Sequence, residues 1–147
     1  MSFFNAQGIP GFMLSYCVES TEVTNNEYNQ DGLEDDLSML RGYSLVTVNT
    51  GGDSFEMHQL VQFATRIWLR SFDTEERWRV IFLSALCKEF PTGEFENWEK
   101  CQTLFPHVEG ITGRIPEGEA AVRDWTQILS NAAWYRHYQT FSYPQFD

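Results

Sequence analysis

Apolar residues recur at helical spacing in residues 33–41, and the pattern then becomes alternating. Leu33, Leu37 and Leu40 predict one apolar helix face, and Gly42 ends the pattern. The following YSLVTVN alternates and is rich in β-branched side chains, NTGGD has the composition of a turn, and SFEM predicts a returning strand. This stretch therefore predicts a helix followed by a β-hairpin.

Helical periodicity dominates from residue 59 onward. The first segment has an apolar stripe that we expect to face the core: Leu60, Val61, Ala64, Ile67 and Trp68. Gln62 falls on the opposite, polar side of that segment. Asp73 and Glu76 have the spacing of a capping box before a second helix, and two more helices follow, around Cys101 and after Pro116. Their short connections predict antiparallel neighbours.

The first 32 residues have weaker patterns. MSFF opens on apolar residues without a cap, so we expect Met1 to lie within a helix that begins upstream. Pro10 and Gly11 predict a break before a short helix. Residues 20–32 are polar and acidic without an apolar period, which predicts a surface loop.

Composition restricts the kinds of partner. The formal net charge is −11, and residues 1–60 hold nine acids against one base. Because Lys and Arg supply most of the affinity for nucleic acids and anionic membranes, we expect neither as a partner. The sequence has no long apolar run and three widely spaced cysteines, which favours a reducing, cytoplasmic location.

The sequence carries no recognisable catalytic or metal-binding motif. TGGDS lacks the lysine of a phosphate-binding loop and joins two predicted strands. Cys101 and His107 would lie on different faces of a helix, since six residues turn it by about 600°. We therefore expect no metal site and no enzymatic activity.

His58 is the candidate functional residue, because it stands between a predicted strand and a predicted helix. It is expected to form a local structural hydrogen bond or to contact an anion at the helix N-terminus. A further alternative is an enzyme or ligand-binding site in which His58 acts in an aromatic pocket beside Glu56, Asp53 or a tyrosine hydroxyl.

Long stretches of the chain resemble one family. SLVTVNTGGDSFEMHQLVQFATRIWL is similar to the winged-helix segment that follows the nucleotide-binding NB-ARC module of fungal NLR-like (STAND) proteins. LCKEFPTGEFENWEKCQTLFPHV and ILSNAAWY resemble the helical connector and first repeat helix of members with tetratricopeptide repeats (TPR). The resemblance implies a mainly α fold, with a winged-helix-like domain in residues 1–71 and a helical connector with an incomplete TPR-like segment in 72–147.

The resemblance also implies residue roles. Met57 and His58 match the Met-His pair whose histidine senses the bound nucleotide in that family, whereas Gln59 stands where many members have Asp. The phosphate-binding loop would lie upstream, so ADP or ATP would have to be supplied by an NB-ARC domain. We therefore expect a non-catalytic regulatory module that contacts a protein, either a full-length relative or a second copy.

The fourth predicted helix offers a candidate contact surface. Trp125, Ile128 and Tyr135 share one apolar face, which would be free for a partner if no neighbouring helix covers it. The alternative is that they pack on the third helix.

Overall fold

A computed structural model describes residues 1–19 and 30–142. Its helices are α1 (Gly11–Glu19), α2 (Gln30–Gly42), α3 (Gln59–Ser71), α4 (Glu75–Glu89), α5 (Trp98–Glu109) and α6 (Glu119–Ser142). Its strands are β1 (Ile9–Pro10), β2 (Val46–Val48) and β3 (Ser54–Met57). Over these residues the fold is mainly helical with a small antiparallel sheet, which confirms the predicted class.

The sheet has the order β1-β3-β2. The predicted hairpin is confirmed: Val46 pairs with Met57 and Val48 with Phe55 in an antiparallel register. Its turn is closed by Asn49, whose side-chain amide donates to the Asp53 carboxylate at 2.6 Å. Strand β1 was not predicted, because two residues are too short to show an alternating pattern and proline cannot donate to a ladder.

One cluster of buried apolar residues draws on both halves of the chain. Helix α4 lies at its centre and buries Phe82, Leu83, Ala85 and Leu86. Because these four residues cover a wide arc of the helix, α4 packs on α1, α3 and α6 together. The two predicted domains therefore share a core, while the boundary at 71/72 stays a prediction.

The first eight residues do not form the predicted helix. Only one turn is present, closed by the Phe4 N–H donating to the Met1 carbonyl at 3.2 Å. The side-chain amide of buried Gln62 donates hydrogen bonds to the carbonyls of Met1 and Phe4, at 3.2 and 3.1 Å. These bonds satisfy backbone carbonyls of a segment that has no regular structure. The predicted acidic loop 20–32 lies outside the described residues from 20 to 29, and its last three residues begin α2.

The predicted orientation of α3 is wrong. Gln62 and Leu69 are its buried residues, whereas Leu60, Ile67 and Trp68 are exposed. The side of α3 that donates to segment 1–8 faces the core, and most of the apolar stripe, with the exception of half-buried Val61, faces outward.

The predicted capping box is also absent, although α4 begins where it was expected. Asp73 has a φ of 54°, and Thr74 occupies the cap position without a side-chain hydrogen bond. Glu76 instead accepts a hydrogen bond from the Glu117 N–H at 3.0 Å and lies 3.5 Å from Arg114. A contact with the distant loop before α6 has thus replaced the local one.

Candidate functional site

His58 caps the N-terminus of α3. Its Nδ1 accepts a hydrogen bond from the Leu60 N–H at 3.1 Å, and its carbonyl accepts from the N–H groups of Val61 and Gln62 at 2.9 and 3.1 Å. Because Nδ1 is the acceptor, the neutral ring carries its proton on Nε2. His58 therefore forms the local hydrogen bond that was one of the expectations.

This cap uses the donors that an anion would need. A helix N-terminus binds anions through its free N–H groups, yet those of Leu60, Val61 and Gln62 already donate to atoms of His58. Glu56 lies in the same cleft and adds a carboxylate. The start of α3 therefore offers a free anion fewer backbone donors than an uncapped helix would.

The cleft beside His58 has a volume of about 450 Å³ and is lined by both polar and apolar residues. One wall is segment 5–7, and the others come from β2, β3 and the residues next to them in sequence. Its lining is Asn5, Ala6, Gln7, Ser44, Leu45, Thr47, Glu56, Met57, His58 and Gln59. Glu56 is thus beside His58 as the enzyme alternative expected, whereas Asp53 and any aromatic side chain are absent from these lining residues.

Met57 lines the cleft and is hydrogen-bonded to its segment 5–7 wall. Its side chain is buried, and its backbone N–H donates to the Ala6 carbonyl at 2.8 Å. The Met57 side chain thus belongs to the core while its backbone fixes one edge of the cleft.

His107 holds the same wall from the other side. It is buried in α5, with Nδ1 accepting from the Asn5 N–H at 3.0 Å and Nε2 lying 3.2 Å from the Gly8 carbonyl. These two contacts require the neutral ring with its proton on Nε2. Burial lowers the pKa of His107 from its usual 6.5, and the bond to Gly8 opposes that effect only in part.

Sequence reasoning missed this role of His107. The available signal was a histidine in the same apolar stripe as Leu104 and Val108, which is a position for a buried residue. Its partners are backbone groups almost a hundred residues away, so nothing local could identify them.

The cysteines have the environment of structural thiols. Burial raises the pKa of Cys17 to about 11 and also raises the pKa values of Cys87 and Cys101. Cys101 is fully buried. Among the described residues, no group of three or more His, Cys, Asp or Glu side chains is placed to hold a metal ion.

The structure places the expected contact residues of the fourth helix in the core. Ile128 and Tyr135 are buried, and Trp125 is partly buried with its Nε1–H donating to the Ile111 carbonyl at 2.9 Å. The Tyr135 ring contacts Trp98 and Phe105 of α5. In the described structure α5, the third predicted helix, covers this face of α6. This is the packing that was the alternative to a free contact surface.

A stripe of exposed apolar side chains lies on α3 and just past its C-terminal end. We call it the α3 face, and it consists of Leu60, Phe63, Ile67, Trp68 and Phe72. Each of these side chains is between 48% and 69% exposed.

Comparison with known proteins supports a distant relationship. The chain is 26% identical over 107 residues to a nucleotide-binding leucine-rich repeat (NLR)-like protein from the fungus Hyaloscypha variabilis. The match covers 73% of this chain and 11% of the relative, so the chain spans a small part of that protein's length. No protein-family model and no solved structure matches the sequence. The chain is thus distantly NLR-like, and the described helices include none long and apolar enough to cross a membrane.

Proposed function

We propose that this chain is a non-catalytic regulatory module that acts by contacting proteins, and that it derives from an NLR-like signalling ATPase. Its parts are the winged-helix-like segment 1–71 and the helical connector with an incomplete TPR-like segment in 72–147. The distant NLR-like relative and the helix–hairpin–helix order of α2, β2, β3 and α3 support this origin.

The observation that carries the proposal is the hydrogen bonding of His58 at its cleft. Its Nδ1 and carbonyl satisfy the N–H groups at the start of α3, which leaves the Nε2–H as the ring's remaining donor. Because the helix cap uses most of the backbone donors at the start of α3, His58 is suited to contact a phosphate group that a partner holds in place. The cleft is accordingly assigned to a protein that brings its own ADP or ATP.

In the proposed complex a nucleotide-binding domain of a full-length relative docks at the cleft. His58 then contacts its bound diphosphate, and Met57 keeps the histidine in place through its buried side chain and its bond to Ala6. The nucleotide state of the partner would be transmitted to the module through this contact.

The test is calorimetric titration of the chain with the nucleotide-binding part of the Hyaloscypha relative, loaded with ADP or with a non-hydrolysable ATP analogue. We expect tighter binding of the ADP form, and a loss of about tenfold for His58→Ser, which keeps a capping side chain but removes the imidazole. Phe95→Ser, at an exposed site outside the cleft, is the matched control and should bind normally. Equal binding by wild type and His58→Ser, or appreciable ADP binding by the isolated chain, would contradict the proposal.

A further inference from the structure

One peptide unit of segment 1–8 is held from two helices. The Phe4 carbonyl accepts from the Gln62 side-chain amide of α3 at 3.1 Å, and the Asn5 N–H donates to Nδ1 of His107 in α5 at 3.0 Å. This carbonyl and this N–H belong to the same planar peptide unit, so neither can turn without the other. His107 and Gln62 are therefore coupled through a rigid group.

Gln62 also connects this peptide unit to His58. Its backbone N–H donates to the His58 carbonyl at 3.1 Å. Its side chain lies on the buried side of α3, away from the exposed α3 face. Asn5, on the other side of the peptide unit, begins the segment 5–7 wall of the His58 cleft. The peptide unit thus adjoins both the wall and the helix start that carries His58.

This arrangement requires the neutral ring of His107. A protonated ring carries hydrogens on both nitrogens, so its Nδ1 would face the Asn5 N–H as a second donor at a distance of 3.0 Å. The Asn5 N–H would have to turn away, and the Phe4 carbonyl would turn with it, away from Gln62. The Nε2 contact with the Gly8 carbonyl would remain, because Nε2 is a donor in both states of the ring.

The expected change is confined to the wall. Phe4 and Ile9, which precede and follow it, are buried in the core. Asn5 and Gln7 are exposed, so their reorientation uncovers little apolar surface. Protonation of His107 therefore alters the Asn5 end of the wall without requiring the chain to unfold.

The groups that surround the His107 ring in the described structure are uncharged. Burial and the bond to Gly8 are the causes that shift its pKa, and no charged neighbour is among them. Segment 1–8 has no acidic or basic side chain, and its Phe4 ring meets the His107 ring edge-on at 5.4 Å. The residues one helical turn away are Thr103, Leu104, Gly110 and Ile111.

Titratable groups on the elements around His107 have other surroundings. On α5, burial raises the pKa of the Cys101 thiol, and Glu109 is exposed. On the other elements, the Met1 amino group interacts with Cys17 of α1, Arg136 of α6 lies over the Phe105 ring, and Asp124 of α6 is hydrogen-bonded to Cys87 of α4.

We propose that the protonation state of His107 controls partner binding at the His58 cleft by setting the orientation of the Phe4–Asn5 peptide unit. With the neutral ring, the wall has the described position and the partner binds. With the protonated ring, the Asn5 end of the wall is released and binding weakens. Because burial lowers the pKa of His107 from 6.5, the change occurs on the acidic side of that value. The inference rests on the proposed function for its partner, whereas its structural step concerns the chain alone.

NMR spectroscopy of the isolated wild-type chain tests the structural step between about pH 7.5 and about pH 4.5. We expect the ring nitrogens of His107, the Asn5 amide and the Gln62 side-chain amide to shift with one common midpoint below 6.5. Circular dichroism should stay constant through this midpoint, because the core is retained. Amides of Asn5 and Gln62 that do not follow His107, or unfolding before His107 titrates, would overturn the inference.

Calorimetry with the ADP-loaded nucleotide-binding part of the Hyaloscypha relative tests the effect on binding. We expect the wild type to bind about tenfold more weakly below the His107 midpoint than at about pH 7.5. His107→Gln keeps an acceptor and a donor but does not titrate, so it should lose most of this change. His137→Gln, at an exposed position of α6, is the matched control and should retain it. His58 is present in both variants, so a contribution from His58 or from the partner persists in both.

Failure of the two proposals can be told apart. If the partner binds and His107→Gln shows the same pH dependence as the wild type, this inference is overturned and the proposed function stands. If the partner binds at no pH, the proposed function and the control of binding both fail, and the NMR titration alone decides whether His107 sets the orientation of the peptide unit.

Discussion

Gly93 lies where the loop between α4 and α5 approaches the backbone of α6, and its replacement by alanine tests the packing of the helical part. A Cβ atom added there would lie 2.4 Å from the Tyr135 backbone nitrogen and 2.7 Å from its Cα. The φ angle of Gly93 is outside the left-handed region, so alanine can adopt this backbone conformation without strain. The steric contact with Tyr135 is therefore the destabilising effect of the substitution. Because the atoms it meets are helix backbone, no side-chain rotation can relieve the clash.

The size of the effect follows from the displacement needed. Restoring an ordinary separation of about 3.5 Å requires the loop and α6 to move apart by about 1 Å. A gap of that size removes a quarter to a half of the dispersion energy of the contacts involved, which include those of the buried residues Ile128, Ala132 and Tyr135. We expect Gly93→Ala to lower the free energy of unfolding by about 2–4 kcal/mol and the Tm by about 6–12 °C.

Urea unfolding followed by tryptophan fluorescence measures this change. An unaltered m-value shows that the variant exposes the same surface area on unfolding as the wild type. Gly113→Ala is the matched control, because a Cβ atom there has no neighbour within 4 Å and its φ is also ordinary. Gly113→Ala should change the free energy of unfolding by less than about 0.5 kcal/mol. If Gly93→Ala were as stable as Gly113→Ala, the close approach of the loop to α6 would be refuted.

Substitutions at three further positions test other contacts by urea unfolding. Below pH 6.5 His107 takes up a proton in the unfolded chain, whereas the buried ring of the folded chain does not. The free energy of unfolding of the wild type should therefore fall as the pH drops from 6.5 to the lowered pKa of His107. His107→Gln should lose this pH dependence, and an unchanged pH dependence in the variant would contradict the reasoning. His58→Ala should cost about 1 kcal/mol by removing the helix cap, whereas His58→Ser should retain most of it, and equal stabilities would disprove the cap. Buried Arg79 donates to the carbonyls of Arg114 and Ile115, so Arg79→Met should cost about 2–4 kcal/mol; a cost below about 1 kcal/mol would show that the contacts add little.

The elements with local signals could be predicted from the sequence. Helices α2 to α6 and the β2–β3 hairpin depend on periodicity, turn composition and breaks at glycine and proline, all of which lie within a few residues. The local hydrogen bond of His58 belongs to the same class, because its partner Leu60 is two residues away.

The orientation of α3 could not be predicted in this way. Periodicity shows that one side of a helix is apolar and does not show what lies against it. Here the deciding partners are carbonyls of segment 1–8, which has no regular structure and which binds the inward-facing Gln62. The capping box failed for a related reason, since Glu76 found a partner in Glu117, forty-one residues away.

The His58 cleft therefore depends on parts of the chain far from the residues that resemble the family's sensor pair. Its segment 5–7 wall is fixed by Met57 through Ala6, and by His107 through Asn5 and the adjacent Gly8. Phe4, next to the wall, packs its ring on Phe82 of α4, with the ring centroids 4.6 Å apart. A change in the position of α4 or α5 would move the wall relative to His58, because these contacts are direct. The geometry of the cleft thus depends on contacts with α4 and α5 as well as on the hairpin.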